Sequence, residues 1–347
     1  MSLPPSEIPL GAMRFNSDSS KLEYWNGTAW FQIQTFSPNY DGGVRGFFIG
    51  GLIPSGTSDR IEFITISTQG NATDFGNLTK GRSETAGFSN ATRALVAGDS
   101  VPGSDDTIDV WTMSSSGNAS DFGNLLSSTN NAQGFGALAN ATRGIWGGGY
   151  QQSPVGQINV LQYVTINSNG NTVDFGDLGS GGVSGPTGGS SPTRGLWFGG
   201  KYPSDSGIRF ITIASTGDAQ DFGDTIDVKD HATTASNAVR IVYFHGQSNL
   251  NTIEFVTTAT LGNAVDFGDM ALTNHYGATS NSSATRGCLA GGWNPSGEGI
   301  GGAGVVHESI EYVEIMTQGN AVDFGNLSEA AYLKCRGCIS TGHGGLG

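Results

Sequence analysis

The hexapeptide Ile61–Ile66 places apolar side chains on both faces of an extended chain. Ile61 and Phe63 point one way, Ile64 and Ile66 the other. Five further segments repeat the pattern: Ile108–Met113, Leu161–Ile166, Ile208–Ile213, Ile253–Thr258 and Ile310–Ile315. An open sheet with one wet face alternates apolar and polar residues, whereas a strand covered on both faces reads as these do. A shorter apolar run precedes each, always after an arginine and ending in small residues. Arg45 opens Gly-Phe-Phe-Ile-Gly-Gly and Arg194 opens Gly-Leu-Trp-Phe-Gly-Gly. Behind each hexapeptide comes a Gly-Asn or Gly-Asp turn, then Asp-Phe-Gly, then a small-residue stretch such as Gly87–Thr92. Short β-rich runs between turn signals, with no helical period, predict an all-β chain.

The units recur at a period that predicts a propeller, solenoid or array. The phenylalanines of Asp-Phe-Gly (Phe75, Phe122, Phe175, Phe222, Phe267, Phe324) lie 47, 53, 47, 45 and 57 residues apart. Asp-Phe-Gly also occurs in kinases, but once, beside a glycine-rich loop, a strand lysine and His-Arg-Asp. Those companions are missing, so six copies read as architecture. Four strands per unit of about 48 residues fit a kelch-type propeller blade. Six units are complete. A seventh arginine segment begins at Arg336, and Leu22–Trp25, Asn26-Gly27 and Ala29–Ile33 stand where third and fourth strands belong. The expectation is a seven-bladed kelch-like β-propeller over residues 11–347. Residues 11–34 and 328–347 would form one composite closing blade, and residues 1–10 an arm. A six-bladed ring with the N-terminal hairpin packed elsewhere is the alternative.

The combined motif, Gly-Asn-Ala-x-Asp-Phe-Gly-[Asn/Asp]-Leu followed by Ala-Thr-Arg-Gly and Gly-Gly, resembles kelch-like repeats of structural proteins from tailed, notably marine, bacteriophages. The resemblance covers residues 44–347. The segment Gly11–Trp30 is similar to a short module of phage tail and fibre proteins. Kelch repeats often carry a fourth-strand tryptophan; here the Asp-Phe-Gly phenylalanine takes that place, except at Trp30. The resemblance implies a virion component, made in the host cytoplasm.

Composition narrows the partners. Sixteen Lys and Arg against 30 Asp and Glu give a net charge of −14, with no electrostatic footprint for DNA or RNA and no attraction to anionic membranes. The first residues lack the basic and apolar regions of a secretory signal, and no run approaches the roughly 18 apolar residues of a membrane span. Glycine, 56 of 347 residues, falls at matching turn positions. So do the Asn-x-Ser/Thr triplets at Asn71, Asn90, Asn118 and Asn140, which therefore read as turns. Three cysteines cannot build a disulfide framework. Cys335 and Cys338 match Cys-x-x-Cys, but without a second pair they are expected to be structural and metal-free.

No catalytic constellation is present: five histidines show no metal spacing, and no Ser-His-Asp order or sialidase motif occurs. The seven regularly spaced arginines are expected to fork onto carbonyls or carboxylates of their own or the next blade. Turns between strands one and two, and three and four, are uniform. The opposite rim varies most, over Leu52–Asp59, Asp99–Thr107, Tyr150–Gln157, Lys201–Gly207 and Trp293–Glu308. Loops on rigid scaffolds carry binding function. Tyr150, Tyr202, Trp293 and His307 are accordingly candidate contacts to a virion protein or a host-surface glycan. The expected function is a non-enzymatic structural component of a virion appendage, requiring no cofactor. A glycan-binding adhesin is the second reading and a propeller enzyme the third.

Overall fold

A computed structural model describes residues 8–16, 21–32, 44–53, 56–100, 106–129, 132–152, 155–179, 181–200, 204–228, 231–246, 250–272, 277–294, 305–331, 333 and 335–346. The chain divides into two compact units, Met1–Gly43 and Val44–Gly347.

In the first unit, Met13–Asn16, Lys21–Trp25 and Trp30–Gln32 form an antiparallel sheet in chain order. The Asn26 side chain accepts the Thr28 and Ala29 N–H groups and closes the hairpin that Asn26-Gly27 predicts. Met13, Tyr24 and Phe31 are cross-strand partners, so with Phe15 they share one face, and all four are exposed. On the other face Arg14 pairs with Glu23 at 2.9 Å and lies over the Trp30 ring. Hydrogen bonds from Asn16 and Arg14 hold the Glu23 carboxyl below its ordinary pKa.

Among the described residues, the repeats of the second unit form six antiparallel sheets, five of four strands and one of three, and a further three-stranded sheet and two two-stranded ones lie in the connections. In the second sheet, Ala86–Ser89, Arg93–Ala97, Thr107–Thr112 and Ser120–Asn124 pair in chain order. Four later sheets repeat this from inner strands Gly136–Ala139, Thr187–Ser190, Thr233–Ser236 and Thr279–Ser282. Among the described residues, the first sheet has Arg45–Ile49, Arg60–Thr65 and Thr73–Asn77.

Each Asp-Phe-Gly is a β-bulge. Ile61 faces Gly76 and Glu62 faces Asp74, so the register passes over Phe75; all six sheets do the same. The six phenylalanines are 2–3% exposed. Each burial contributes about 1.5–3 kcal/mol. In five sheets this ring meets a third-strand aromatic edge to face, as Phe75 meets Phe63 at 5.7 Å. The glycine that follows meets the next sheet. Gly76 has φ +156°, and a Cβ there would stand 2.3 Å from the Gly117 carbonyl oxygen. That close approach lets Gly117 N–H donate to Phe75 O at 2.9 Å and the Asn118 side chain accept the Asn77 N–H. The same pair of bonds joins every sheet to its successor, and Gly70 and Asn71 make it to Phe324 O and Asn326 N, joining sixth to first. Asn71 and Asn118 are therefore turn residues of the seam, while Asn90 and Asn140 cap the turns ahead of Arg93 and Arg143.

The termini do not form the expected composite sheet. Strands 21–25 and 30–32 pair within the first unit. The C-terminal segment instead completes the first sheet. Ser340 bridges Gly46, Phe47 N–H donates to Ile339 O, and Thr341 N–H donates to Arg45 O. In the other sheets the residue after the arginine faces the last inner-strand residue, as Ala94 faces Ser89, and Gly46–Ser340 repeats that register. Gly-Cys-Ile-Ser at 337–340 is thus an inner strand. The likeness of Arg336-Gly337-Cys338 to the second-strand start Arg286-Gly287-Cys288 is a coincidence of sequence. The described first sheet starts at its second strand, so its inner edge at Arg45–Ile49 is open until the C-terminus fills it.

Two tests follow from the seam and the closing strand. Gly76→Ala should cost about 2–4 kcal/mol in urea unfolding, whereas Gly117→Ala, whose Cβ would meet nothing within 4 Å, should cost less than about 0.5 kcal/mol. Equal effects would remove the close approach as the reason for glycine. Deleting residues 336–347 should abolish cooperative melting or cause aggregation, checked by calorimetry; unchanged melting would contradict closure by this strand.

Candidate functional site

Six of the seven regularly spaced arginines are cross-links. Arg45 Nη1 donates to Met113 O and Ser114 O of the second sheet while its guanidinium lies 5.1 Å from the Phe63 ring. Arg93, Arg143, Arg194, Arg240 and Arg286 likewise donate to carbonyls at the end of the next sheet's third strand, the last reaching Ile66 O and Ser67 O of the first sheet. Buried polar residues at the second position of the third strand are spent similarly. Asp109 accepts Thr79 N–H and pairs with buried Arg82, Glu254 accepts Ile226 N–H, and Glu311 accepts the Ala271 and Leu272 N–H groups. Gln162 serves in the third sheet, accepting Leu126 N–H.

The seventh arginine is different. Arg336 is 3% exposed and donates to Glu84 at 2.8 Å, and His231 stands 3.6 Å from the other Glu84 oxygen. Glu84 and His231 have φ of 57° and 53°, and they are the only non-glycine residues of positive φ among the described residues. Each lies two residues ahead of an inner strand. At that position the other links carry Gly134, Gly185 and Gly277, with φ of 66°, 73° and 68°. The left-handed turn costs a non-glycine residue about 1 kcal/mol or more. Two chain links thus adopt a strained turn that places an acid and a histidine beside the arginine of the closing strand. Gly134 and Gly185 leave room on its other side, since a Cβ there would come 3.4 and 3.7 Å from the guanidinium. Sequence reading grouped Arg336 with the other six and did not find this cluster. The available signal was the break in the glycine pattern at Glu84 and His231.

The candidate contacts fall in separate places. Tyr150 lies on Tyr150–Gln152, which pairs with Ala132–Gln133 and Val155–Gln157 beside the third sheet. Trp293 pairs with Val306 in a hairpin of the sixth sheet, and His307 N–H donates to Gly292 O at the base of that hairpin. Trp293 and His307 therefore share one hairpin, whereas Tyr150 is three sheets away along the chain of seams. All three are half-buried. Tyr202 and residues 295–304 lie outside the described residues.

Cys288, Cys335 and Cys338 are free and buried, and desolvation pushes the Cys335 and Cys338 thiols up to about 11. Such thiols are poor nucleophiles at neutral pH. Among the described residues, no three His, Cys, Asp or Glu side chains are grouped to hold a metal ion, and no helix is long and apolar enough to cross a membrane.

His343 fastens the end of the closing segment. Its Nε2–H donates to Ser89 O at 2.7 Å, and its Nδ1 accepts Gly345 N–H at 3.1 Å. The Nδ1 bond requires the neutral ring, and burial pushes its pKa down to about 4. No protein-family model matches the chain, and no curated protein matches it.

The His343 geometry sets a pH dependence. An unfolded histidine titrates near 6.5, so between about pH 6.5 and 4 the unfolded state binds the proton that the native state refuses. The stabilisation is complete above that window and is lost as pH falls through it, to a total of about 3 kcal/mol. Urea unfolding at pH 7 and pH 4 should show a drop in stability that is smaller by about that amount in His343→Gln. An equal drop in both proteins would assign the acid sensitivity to other groups.

Proposed function

We propose that Val44–Gly347 is a six-bladed, kelch-like β-propeller and that the chain is a non-enzymatic structural component of a tailed-phage virion, carried on capsid, neck or tail. The ring reading is supported by the seam, which recurs six times and links the last sheet back to the first. Six blades replace the seven that a composite blade would give.

The observation that carries the functional reading is where the repeated polar groups go. The six arginines and the buried Asp109, Glu254 and Glu311 engage backbone groups, mostly across sheet boundaries. A glycan hydrolase needs two carboxylates facing one cleft about 5–10 Å apart. Here the repeated acids are turned into the wall, as suits a scaffold that must stay rigid. Its partners are other virion proteins, with host-surface glycan as a second class contacted from the variable rim where Tyr150, Trp293 and His307 sit. Similarity of the repeat and of Gly11–Trp30 to phage structural proteins supports the same reading. No cofactor is required.

Gold-labelled antibody raised against the purified chain should decorate intact particles at one fixed location. Phage deleted for the gene should lose that label together with the appendage or the ability to adsorb. Unlabelled particles, with the protein found only free in the lysate, would overturn the reading.

A further inference from the structure

The second sheet departs from the arginine column of the other five. At the third-strand position where they carry Phe63, Tyr163, Phe210, Phe255 and Tyr312, it carries Val110. Elsewhere the arginine lies over that aromatic ring at 4.4–5.1 Å. Arg93 instead lies 5.3 Å from Phe122, and a hollow of about 210 Å³ lies beside Val110. Arg93 lines it together with Thr112, Ser115, Ser116, Asn118 and Ser120. All but Arg93, which is half-buried, are exposed, so the hollow is open to solvent.

The fourth sheet has a corresponding hollow of about 150 Å³. There Phe210 occupies the Val110 position, Asp218 occupies the Asn118 position, and no arginine lines the wall. Two hollows of one architecture thus differ in charge and depth. Only the second joins a guanidinium to a rim of hydroxyls and an amide, in a chain of net charge −14.

We propose that the second-sheet hollow binds the carboxylate-bearing ring of an acidic sugar residue. Arg93 has five N–H donors. It is seen to direct one nitrogen to Ile166 O at 2.8 Å and another to Asn169 Oδ1 at 2.5 Å, which leaves donors for a carboxylate. A guanidinium is matched to a carboxylate by geometry as well as charge. The serine and threonine hydroxyls both donate and accept, as sugar hydroxyls require. The hollow is smaller than a drug-sized pocket and accommodates one ring, so a single site should bind with Kd on the order of 1 mM. The proposal rests on this hollow alone and stands or falls independently of the virion reading.

The test uses the full chain, trigalacturonate and neutral galactotriose as probes, and acetate as the bare carboxylate, with binding read by saturation-transfer NMR and calorimetric titration. Trigalacturonate should bind and galactotriose should not. Acetate should bind at least about tenfold more weakly, because it lacks the ring hydroxyls, each such factor of ten being 1.4 kcal/mol. Val110→Phe narrows the hollow toward the fourth sheet's about 150 Å³ and Asn118→Asp gives it the fourth sheet's charge; each should weaken trigalacturonate binding about tenfold or more. Both variants should keep wild-type melting, since Phe210 and Asp218 already occupy these positions in the fourth sheet, where Asp218 accepts the Asp177 N–H as Asn118 accepts Asn77 N–H. No trigalacturonate binding, equal binding of the neutral sugar or acetate, or binding unchanged in both variants would each overturn the proposal.

Discussion

The second unit depends on one contact made six times: a turn glycine N–H donating to the carbonyl of the Asp-Phe-Gly phenylalanine in the preceding sheet. An outer strand would otherwise present unpaired backbone groups to solvent, the usual site of edge-to-edge association. Here the next sheet's turn covers part of that edge, and the asparagine or aspartate beside the glycine covers more. The contact explains two of the three residues of the motif. The bulge turns phenylalanine into the layer between sheets, glycine lets the neighbouring turn approach within contact of the backbone, and the exposed aspartate precedes both. A larger residue in the glycine position would push adjacent sheets apart.

The inner strands solve the opposite problem, crowding. They are built from Gly, Ala, Ser and Thr with few larger residues, and their hydroxyls pass from sheet to sheet. Ser282 donates to Ser236 O, Ser340 to Ser282 O, and Ser89 to Ser340 O. Buried polar groups are tolerable when partnered, and for these three serines the partners are neighbouring strand carbonyls. Ser340 is a member of that series although it comes from the end of the chain. Its pairing with the first sheet therefore makes the hydroxyl series continuous there and also covers the open edge beside Arg45. The contact joins residues 296 apart, Arg45 and Thr341, so the loop entropy of the whole unit opposes it.

Much of this was legible in sequence because the informative signals are local. Two-sided hexapeptides, turn dipeptides and the Asp-Phe-Gly period gave the strands, their order and the burial of the phenylalanines. The uniform Gly-Asn turns pointed to seams. What escaped was the pairing of remote segments. Arg336-Gly337-Cys338 copies Arg286-Gly287-Cys288 letter for letter, yet pairing with Gly46 gives it the inner-strand register. Local similarity cannot register that the edge of the first sheet at Arg45–Ile49 is paired by the remote segment 339–341. The cluster of Arg336, Glu84 and His231 was hidden for the same reason, since three distant links meet only after the closing strand is in place. Tyr150 was correctly assigned to a variable connection, but sequence could not say that Trp293 and His307 share a hairpin from which it is remote.

In a repeat this regular, the positions that matter for anything beyond folding are those where the pattern is broken at a cost. A left-handed turn accommodates glycine freely, so Glu84 and His231 carry strain that Gly134, Gly185 and Gly277 avoid. In five sheets the arginine lies over a third-strand ring, a cation–π contact, whereas at Val110 that ring is missing and Arg93 lies over Phe122 instead. Substitutions of this kind differ from variation in loop length, which is nearly free on a rigid scaffold. The two breaks also lie on opposite sides of the unit. Glu84 and His231 precede inner strands, on the side of the variable connections, whereas the Val110 hollow lies under a three-to-four turn on the uniform side. On the uniform side the missing ring goes with the larger hollow beside Arg93, while the bond of Arg93 to the third sheet and the seam beside it are kept.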